Sequence, residues 1–157
     1  MKLNGKRPGI HVEPIVLPRP EGDIVMKAQA VGDFKDFDKL CPPPEPRRKR
    51  LADGQEILDV EDKGYKQAVE NYSQKRVAYM CIKGLSAGTP DLEWEQVKLE
   101  DNNTWLKFEA ELIESGFSDV EIKRIVAGVM RANCLSEMAV EEARKRFLAG
   151  EQAQNDE

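Results

Sequence analysis

Four of the six residues from Cys41 to Pro46 are proline, and this run divides what the chain can become. Each proline fixes φ and offers no backbone N–H, so neither a helix interior nor a central strand tolerates such a stretch. It reads as an extended polyproline linker. Arg47-Arg48-Lys49-Arg50 follows directly. A basic cluster of this kind can contact nucleic acid or act as a targeting signal. Beside a proline run it reads first as solvated linker. Residues 41–61 are therefore taken as a Pro-rich, basic linker of irregular structure. Leu51, Ile57, Leu58 and Val60 are able to add a strand or an anchoring contact to it.

Ahead of the linker, Ile10-His11-Val12-Glu13 alternates apolar and polar, Pro14 interrupts, and Ile15-Val16-Leu17 follows. Pro18-Arg19-Pro20-Glu21-Gly22 has loop chemistry. Ile24, Met26, Ala28 and Ala30 then mark one side of a second alternating run. Two strands joined by a loop longer than two residues form a hairpin. Pro14 confines the first strand to an edge or splits it into two short pieces. An isolated hairpin is marginal in water, so this one must pack on something. Asp33 is placed to cap a short helical turn with Phe34, Phe37 and Leu40 on one face.

Behind the linker the spacing becomes helical. Tyr65, Ala68, Val69, Tyr72, Arg76, Tyr79 and Met80 follow the three-and-four pattern, predicting a helix over 63–85. Ser86-Ala87-Gly88-Thr89-Pro90 ends it, and Leu92, Trp94 and Val97 suggest a short helix after Pro90. Asp101-Asn102-Asn103-Thr104 supplies cap residues for a helix bearing Trp105, Leu106, Phe108, Leu112 and Ile113, which Gly116 ends in the left-handed region. Ser118-Asp119-Val120-Glu121 is a capping box, with Phe117 and Ile122 spaced as a hydrophobic staple. Ile122, Ile125, Val126, Val129 and Met130 form its core stripe, and Asn133 stops it. Ser136 caps a last helix with Met138, Ala139, Ala143 and Phe147, which Gly150 ends. The expected fold is α+β, mainly α. A β-hairpin region (1–40) precedes the linker, a small antiparallel helical bundle (62–150) follows it, and 151–157 is a flexible tail. The expected core holds Tyr72, Met80, Trp105, Leu112, Ile122, Ile125 and Val129.

Charge is unevenly spread along this organisation. Met1–Pro90 carries 16 Lys+Arg against 13 Asp+Glu, and Asp91–Glu157 carries 8 against 16. The acidic half disfavours nucleic acid as its partner and reads first as a solvated helical surface. Cys41, Cys81 and Cys134 are odd in number and far apart, which points to a reducing compartment. With no apolar leader run and no membrane-length span, the expected location is cytoplasmic.

No arrangement in the sequence carries catalytic chemistry, and the expectation is a protein without catalytic residues, cofactor or metal. His11 is the only histidine and reads as a surface residue. The Cys/His spacings fit no zinc site, and Asp33-x-x-Asp36-x-Asp38 fits no calcium loop. Gly84-x-x-x-Gly88 lacks the Gly-Lys-Ser/Thr ending of a phosphate loop. Glu109, Glu111 and Glu114 read as a solvated helix face. What remains is protein binding, with Trp94, Leu92, Phe34 and Phe37 as candidate contact residues.

Thr89-Pro90-Asp91-Leu92-Glu93-Trp94-Glu95, Asn103-Thr104-Trp105 and Gly116-Phe117-Ser118-Asp119-Val120-Glu121-Ile122 together resemble the tail assembly chaperones of long-tailed, siphovirus-like bacteriophages. The likeness spans about Tyr65 to Phe147 and includes the order of β portion and helical body. It implies binding to the tape-measure protein, a long aggregation-prone helical chain, and recruitment of tail-tube subunits around it. It implies host cytoplasm as the place of action, absence from the finished virion, and in many members a longer frameshifted form. Homo-oligomerisation is compatible with it, and membrane association is not expected. Two other classes stay open. One is a structural virion protein, a tail or head-completion subunit whose hairpin pairs with a neighbour's sheet. The other is a nucleic-acid-binding regulator using Arg47 to Arg50.

Overall fold

The computed structural model of the chain describes residues 1–134 and 137–155. The two alternating N-terminal runs form strands β1 (Val12–Leu17) and β2 (Ile24–Gln29), paired antiparallel with Ile15 opposite Met26. Ile15, Leu17, Met26 and Ala28 are buried on one face, while Val12, Val16 and Val25 are exposed on the other. Ala30 N–H donates to His11 C=O at 2.9 Å. In that phase Pro14, opposite Lys27, falls on a non-hydrogen-bonded pair. Its missing N–H therefore lies on the outer edge of β1, where the ladder loses nothing. Asp33 accepts the Lys35 N–H at 3.0 Å and introduces helix α1 (Lys35–Leu40).

The stretch expected to be irregular linker contains a second hairpin. Strand β3 (Arg47–Arg50) pairs with β4 (Glu56–Asp59), setting Arg47 opposite Asp59 and Arg50 opposite Glu56. Gly54, at φ +88°, takes the turn position that Asp53-Gly54 signals in the sequence. Every side chain of the ribbon but Asp59 is exposed, and Arg48 lies 3.6 Å from Glu56.

The remaining elements are helices: α2 (Lys63–Gly88), α3 (Phe108–Glu114), α4 (Asp119–Ala132) and α5 (Glu137–Asn155). With two small antiparallel sheets and five helices the fold is α+β, mainly α. Helix α2 runs past its expected end to Gly88. Pro90 disfavours helical geometry only at the residue before it, Thr89. A 3₁₀ turn (Trp105–Lys107) stands where the next helix was expected to start, and no side chain caps it. Gly116, at φ +93°, ends α3 with paired bonds from Gly116 N–H to Ile113 C=O and from Phe117 N–H to Leu112 C=O. The capping box of α4 forms as expected between Ser118 and Glu121. Helix α5 continues through Gly150, where an end was expected, since a single glycine costs a helix only about 1 kcal/mol. Ser136 and the side chain of Ala139 lie outside the described residues.

The core sits where α2 and α4 cover the inner face of the β1–β2 hairpin. Trp105, Tyr79 and Phe37 are its largest fully buried side chains. Their rings pack at 5.0 Å (Tyr79–Trp105), 5.4 Å (Phe37–Tyr79) and 5.7 Å (Phe37–Trp105). Tyr72 sits at the margin of this cluster, half-buried, 5.3 Å from Phe37. The other six expected core residues are all buried.

Glycine sets how closely the helices approach the hairpin. A Cβ on Gly88 would stand 2.2 Å from Lys27 O, and one on Gly84 would stand 2.9 Å from Gln29 O. On α4, a Cβ at Gly128 would stand 2.5 Å from Ile15 Cγ1. Gly84-x-x-x-Gly88 is thus a seat for backbone against backbone. G88A is expected to lower stability by roughly 2–3 kcal/mol, although Gly→Ala in a helix ordinarily gains about 1 kcal/mol. G32A, whose Cβ would meet only Ile10 Cδ1 at 3.8 Å, stays within about 0.5 kcal/mol. Urea denaturation of both variants checks the seat, and a neutral G88A would remove it.

Candidate interaction site

The segment from Thr89 to Thr104 is an irregular loop held in place by side chains of the helices beside it. Thr89 Oγ1 accepts from Lys27 N–H at 2.8 Å and donates to Lys27 C=O at 2.9 Å, occupying the free edge of β2. The short helix expected over Leu92–Val97 does not form. The N–H groups of Glu95, Gln96 and Val97 instead converge on the Glu111 carboxylate, the last two at 3.1 Å. Glu111 is buried, which corrects its reading as part of a solvated face. The sequence signal for it is position: Glu111 stands at the edge of the stripe formed by Trp105, Phe108 and Leu112. Its neighbours Glu109 and Glu114 are exposed.

The other polar residues of the loop are spent on the same task. Trp94 Nε1 donates to Ser86 Oγ at 2.9 Å. Thr104 Oγ1 accepts from Lys98 N–H at 2.9 Å, and Trp105 Nε1 lies 3.1 Å from the carbonyls of both Lys98 and Leu99. Asn102 donates to Leu40 C=O at 2.6 Å and accepts from Lys75 at 2.7 Å, tying the loop to α1 and α2.

The four candidate contact residues do not make one patch. Phe37 is fully buried, so it has no surface to offer a partner; α1 turns it inward onto Tyr79 and Trp105. Phe34 is half-buried, with the Arg76 guanidinium 4.0 Å from its ring centroid. Leu92 and Trp94 are half-buried and packed against the core. Trp94 is tied to Ser86 and Phe34 stacks with Arg76, ten residues earlier on α2. That spacing is about 15 Å along the axis.

Exposed apolar surface gathers elsewhere. A groove of about 550 Å³ lies between α2 and the start of α3, lined by Ser73, Gln74, Val77, Leu106, Phe108 and Glu109. Leu106, Ile113 and Val69 are exposed large apolar side chains of the same two elements and the turn between them. The sequence reading missed this surface because it assigned Leu106 and Ile113 to the core side of one continuous helix. At 3.6 residues per turn those two lie roughly 100° or more from Phe108 and Leu112, off the stripe that packs on the core.

Cys41 and Cys81 are buried, and Cys134 is exposed. Burial pushes the Cys81 thiol up to about 12 and also raises Cys41. His11 is exposed, 3.5 Å from Glu13. Among the described residues, no group of three His, Cys, Asp or Glu could hold a metal ion. Lys83 donates to Tyr79 Oη at 3.0 Å and lies 3.6 Å from Asp36. The hydrogen bond to Tyr79 is the largest cause of its raised pKa.

A long-range polar latch closes the hairpin onto α4. Arg19, in the β1–β2 loop, donates to Glu121 from Nε at 2.9 Å and from Nη2 at 3.1 Å. It also donates to Gly116 C=O at 3.1 Å, and its guanidinium stands 5.5 Å from the Phe117 ring centroid. Glu121 accepts Ser118 N–H at 2.8 Å as well. The Arg19 bond first, and then the Ser118 bonds, hold its carboxyl at about 2, below the ordinary 4.5. At the other end of the hairpin, Arg131 Nε donates to Glu13 at 3.0 Å and Asn133 Oδ1 accepts Val31 N–H at 2.9 Å.

Two outcomes follow from this geometry. E111Q keeps one acceptor oxygen but turns an amide NH2 toward at least one of the three backbone N–H groups that Glu111 accepts, and should cost about 1–3 kcal/mol. Hydrogen exchange at residues 95–97 should rise with it, and unchanged exchange would detach the loop from Glu111. For Glu121, folding lowers the pKa, so its stabilisation is complete above pH 4.5 and is lost as pH falls through 4.5 toward 2. Wild type should therefore lose stability more steeply than E121Q across that window, and parallel acid profiles would contradict the latch. Compared with models of known protein families, with curated proteins and with solved structures, the chain matches none.

Proposed function

We propose that this chain is a non-catalytic tail assembly chaperone of a long-tailed bacteriophage, binding the tape-measure protein and helping to recruit tail-tube subunits. The observation that carries the reading is the convergence of the three resembling segments. Thr89–Glu95 is tied to the end of α2 through Trp94 and Ser86 and to α3 through Glu111. Thr104 and Trp105 bind the same loop at Lys98. Gly116–Ile122 joins α3 to the capping box of α4. Segments close together in sequence thus form one continuous unit of structure, from the end of α2 to the cap of α4. An apolar groove beside it suits the apolar face of a client helix.

The alternative reading as a structural virion subunit relied on the hairpin as a pairing arm. Both of its edges are blunted, by Pro14 on β1 and by the Thr89 side chain on Lys27 of β2. That weighs against strand addition there. The basic residues Arg47 to Arg50 lie on the exposed β3–β4 ribbon, which leaves the nucleic-acid reading the weaker one beside an acidic remainder. Among the described residues, no helix is long and apolar enough to cross a membrane. Co-expression with the tape-measure protein of the same gene cluster should raise that protein's soluble yield several-fold and give a co-eluting complex. A tape-measure protein that stays insoluble overturns the reading. So does finding this chain in purified virions by mass spectrometry, a result that favours the structural subunit.

A further inference from the structure

We infer that the outer edge of β3 docks an acidic, extended segment of another polypeptide, which adds to the β3–β4 ribbon as a third strand. This surface is separate from the groove between α2 and α3, and the inference stands independently of the chaperone reading.

The phase of the ladder decides which backbone groups are open. Leu51 N–H donates to Gln55 C=O at 2.8 Å. Alternation from there makes Lys49–Ile57 and Arg47–Asp59 the hydrogen-bonded pairs. Arg48 and Arg50 therefore turn their N–H and C=O groups outward. Among the described residues no strand pairs with that side, since the sheet has two strands. The outer edge of β4 is different, because its Leu58 C=O accepts Val60 N–H at 3.1 Å. The edges of the β1–β2 hairpin are blunted by Pro14 and Thr89. Arg47–Arg50 holds neither a proline nor a bulge.

Charge selects what can sit there. The side chains of a strand neighbour the strands on both of its sides, so β4 shows what this row accepts. It reads Glu56-Ile57-Leu58-Asp59, with Glu56 opposite Arg50 and Asp59 opposite Arg47. All four basic side chains are exposed. Among the described residues only Arg48 has an ion-pair partner, Glu56 at 3.6 Å. An incoming strand that carries carboxylates meets the same row of cations from its open side. Basic residues on an edge ordinarily guard it against self-pairing. Here the guard is selective: it repels the β3 of a second copy and admits an acidic strand.

Nucleic acid fits this edge less well. Each face of the ribbon sets a carboxylate among its cations, Asp59 with Arg47 and Lys49, and Glu56 with Arg48 and Arg50. A phosphate backbone also has no N–H to give the carbonyls of Arg48 and Arg50. A polypeptide strand supplies both donors and acceptors. The ribbon gains as well, since two exposed strands of four residues are marginal in water without a third.

The test uses the full chain and a capped synthetic peptide of residues 55–60, Gln-Glu-Ile-Leu-Asp-Val. Amide exchange is followed by NMR. The Arg48 and Arg50 amides should exchange fast alone and slow by about tenfold as the peptide approaches saturation. The Lys49 amide lies inside the ladder and should not change, which separates addition of a strand from displacement of β4. A peptide with Lys in place of both acidic residues should protect nothing. R48P removes an outward N–H and spares the ladder, as Pro14 does in β1, and should weaken binding by about tenfold. K49Q alters no backbone group and should weaken it about two- to fivefold. Thermal melts of both variants should match wild type. The inference is overturned by unprotected Arg48 and Arg50 amides, by equal protection from the Lys peptide, or by wild-type binding in both variants. It is also overturned if duplex DNA protects these amides and the peptide does not. Self-association of wild type that R48P abolishes would assign the edge to a second copy instead.

Discussion

A two-stranded hairpin buries one face only, and alone it does not hold together in water. Everything in this fold depends on how closely α2 comes down on β2. The absence of side chains at Gly84 and Gly88 lets helix backbone meet strand backbone at Gln29 and Lys27. Thr89 then takes over the open edge of the strand with both a donor and an acceptor. Only with that seat in place do Met26 and Ala28 face a helix rather than water, and only then can α4 close over Ile15. The polar contacts at Arg19–Glu121 and Arg131–Glu13 span more than a hundred residues of sequence. They fix the orientation of the hairpin, while burial of its inner face supplies the stability.

The same logic explains how a long irregular loop survives beside the core. Loops of this length ordinarily carry backbone groups that need partners. Here Glu111 takes three consecutive N–H groups, and Trp105 covers two carbonyls of the loop with one indole N–H. Trp94, Thr104, Trp105 and Glu121, the most distinctive residues of the resembling segments, are all occupied with holding the fold. What these positions report is how the loop and its neighbouring helices are held together. Exposed apolar side chains lie at positions where the pattern is silent, such as Leu106 and Ile113.

That division also sets what was legible in the sequence. Local signals read correctly: strand alternation around Ile15 and Met26, the capping box at Ser118, the left-handed stop at Gly116, and the core stripe of α4. Each depends on a few neighbouring residues. What failed depended on distant partners. Glu111 reads as solvated until the loop that wraps it is known, and Phe37 reads as a contact residue until α2 is packed against it. Gly84-x-x-x-Gly88 has no meaning without the strand it touches. The β3–β4 ribbon is a different kind of miss, since Asp53-Gly54 is a local turn signal that the basic composition of Arg47–Arg50 obscured. Of the contact residues singled out, Leu92, Trp94 and Phe34 keep some surface and Phe37 keeps none.

Charge follows the same rule, because its meaning depends on where it is spent. The acidic excess after Pro90 looks like a partner-seeking surface when counted along the chain. Two of those carboxylates are consumed internally: Glu111 by backbone N–H groups and Glu121 by Arg19 from the basic half. Asp119 is offset by Lys123 one turn away on α4. The charges left free to choose a partner are those beside exposed apolar side chains, where desolvation strengthens them. Glu109, which lines the same groove as Leu106, meets that condition. Net charge counted along the chain is therefore a poor guide to where charge stands free on this surface.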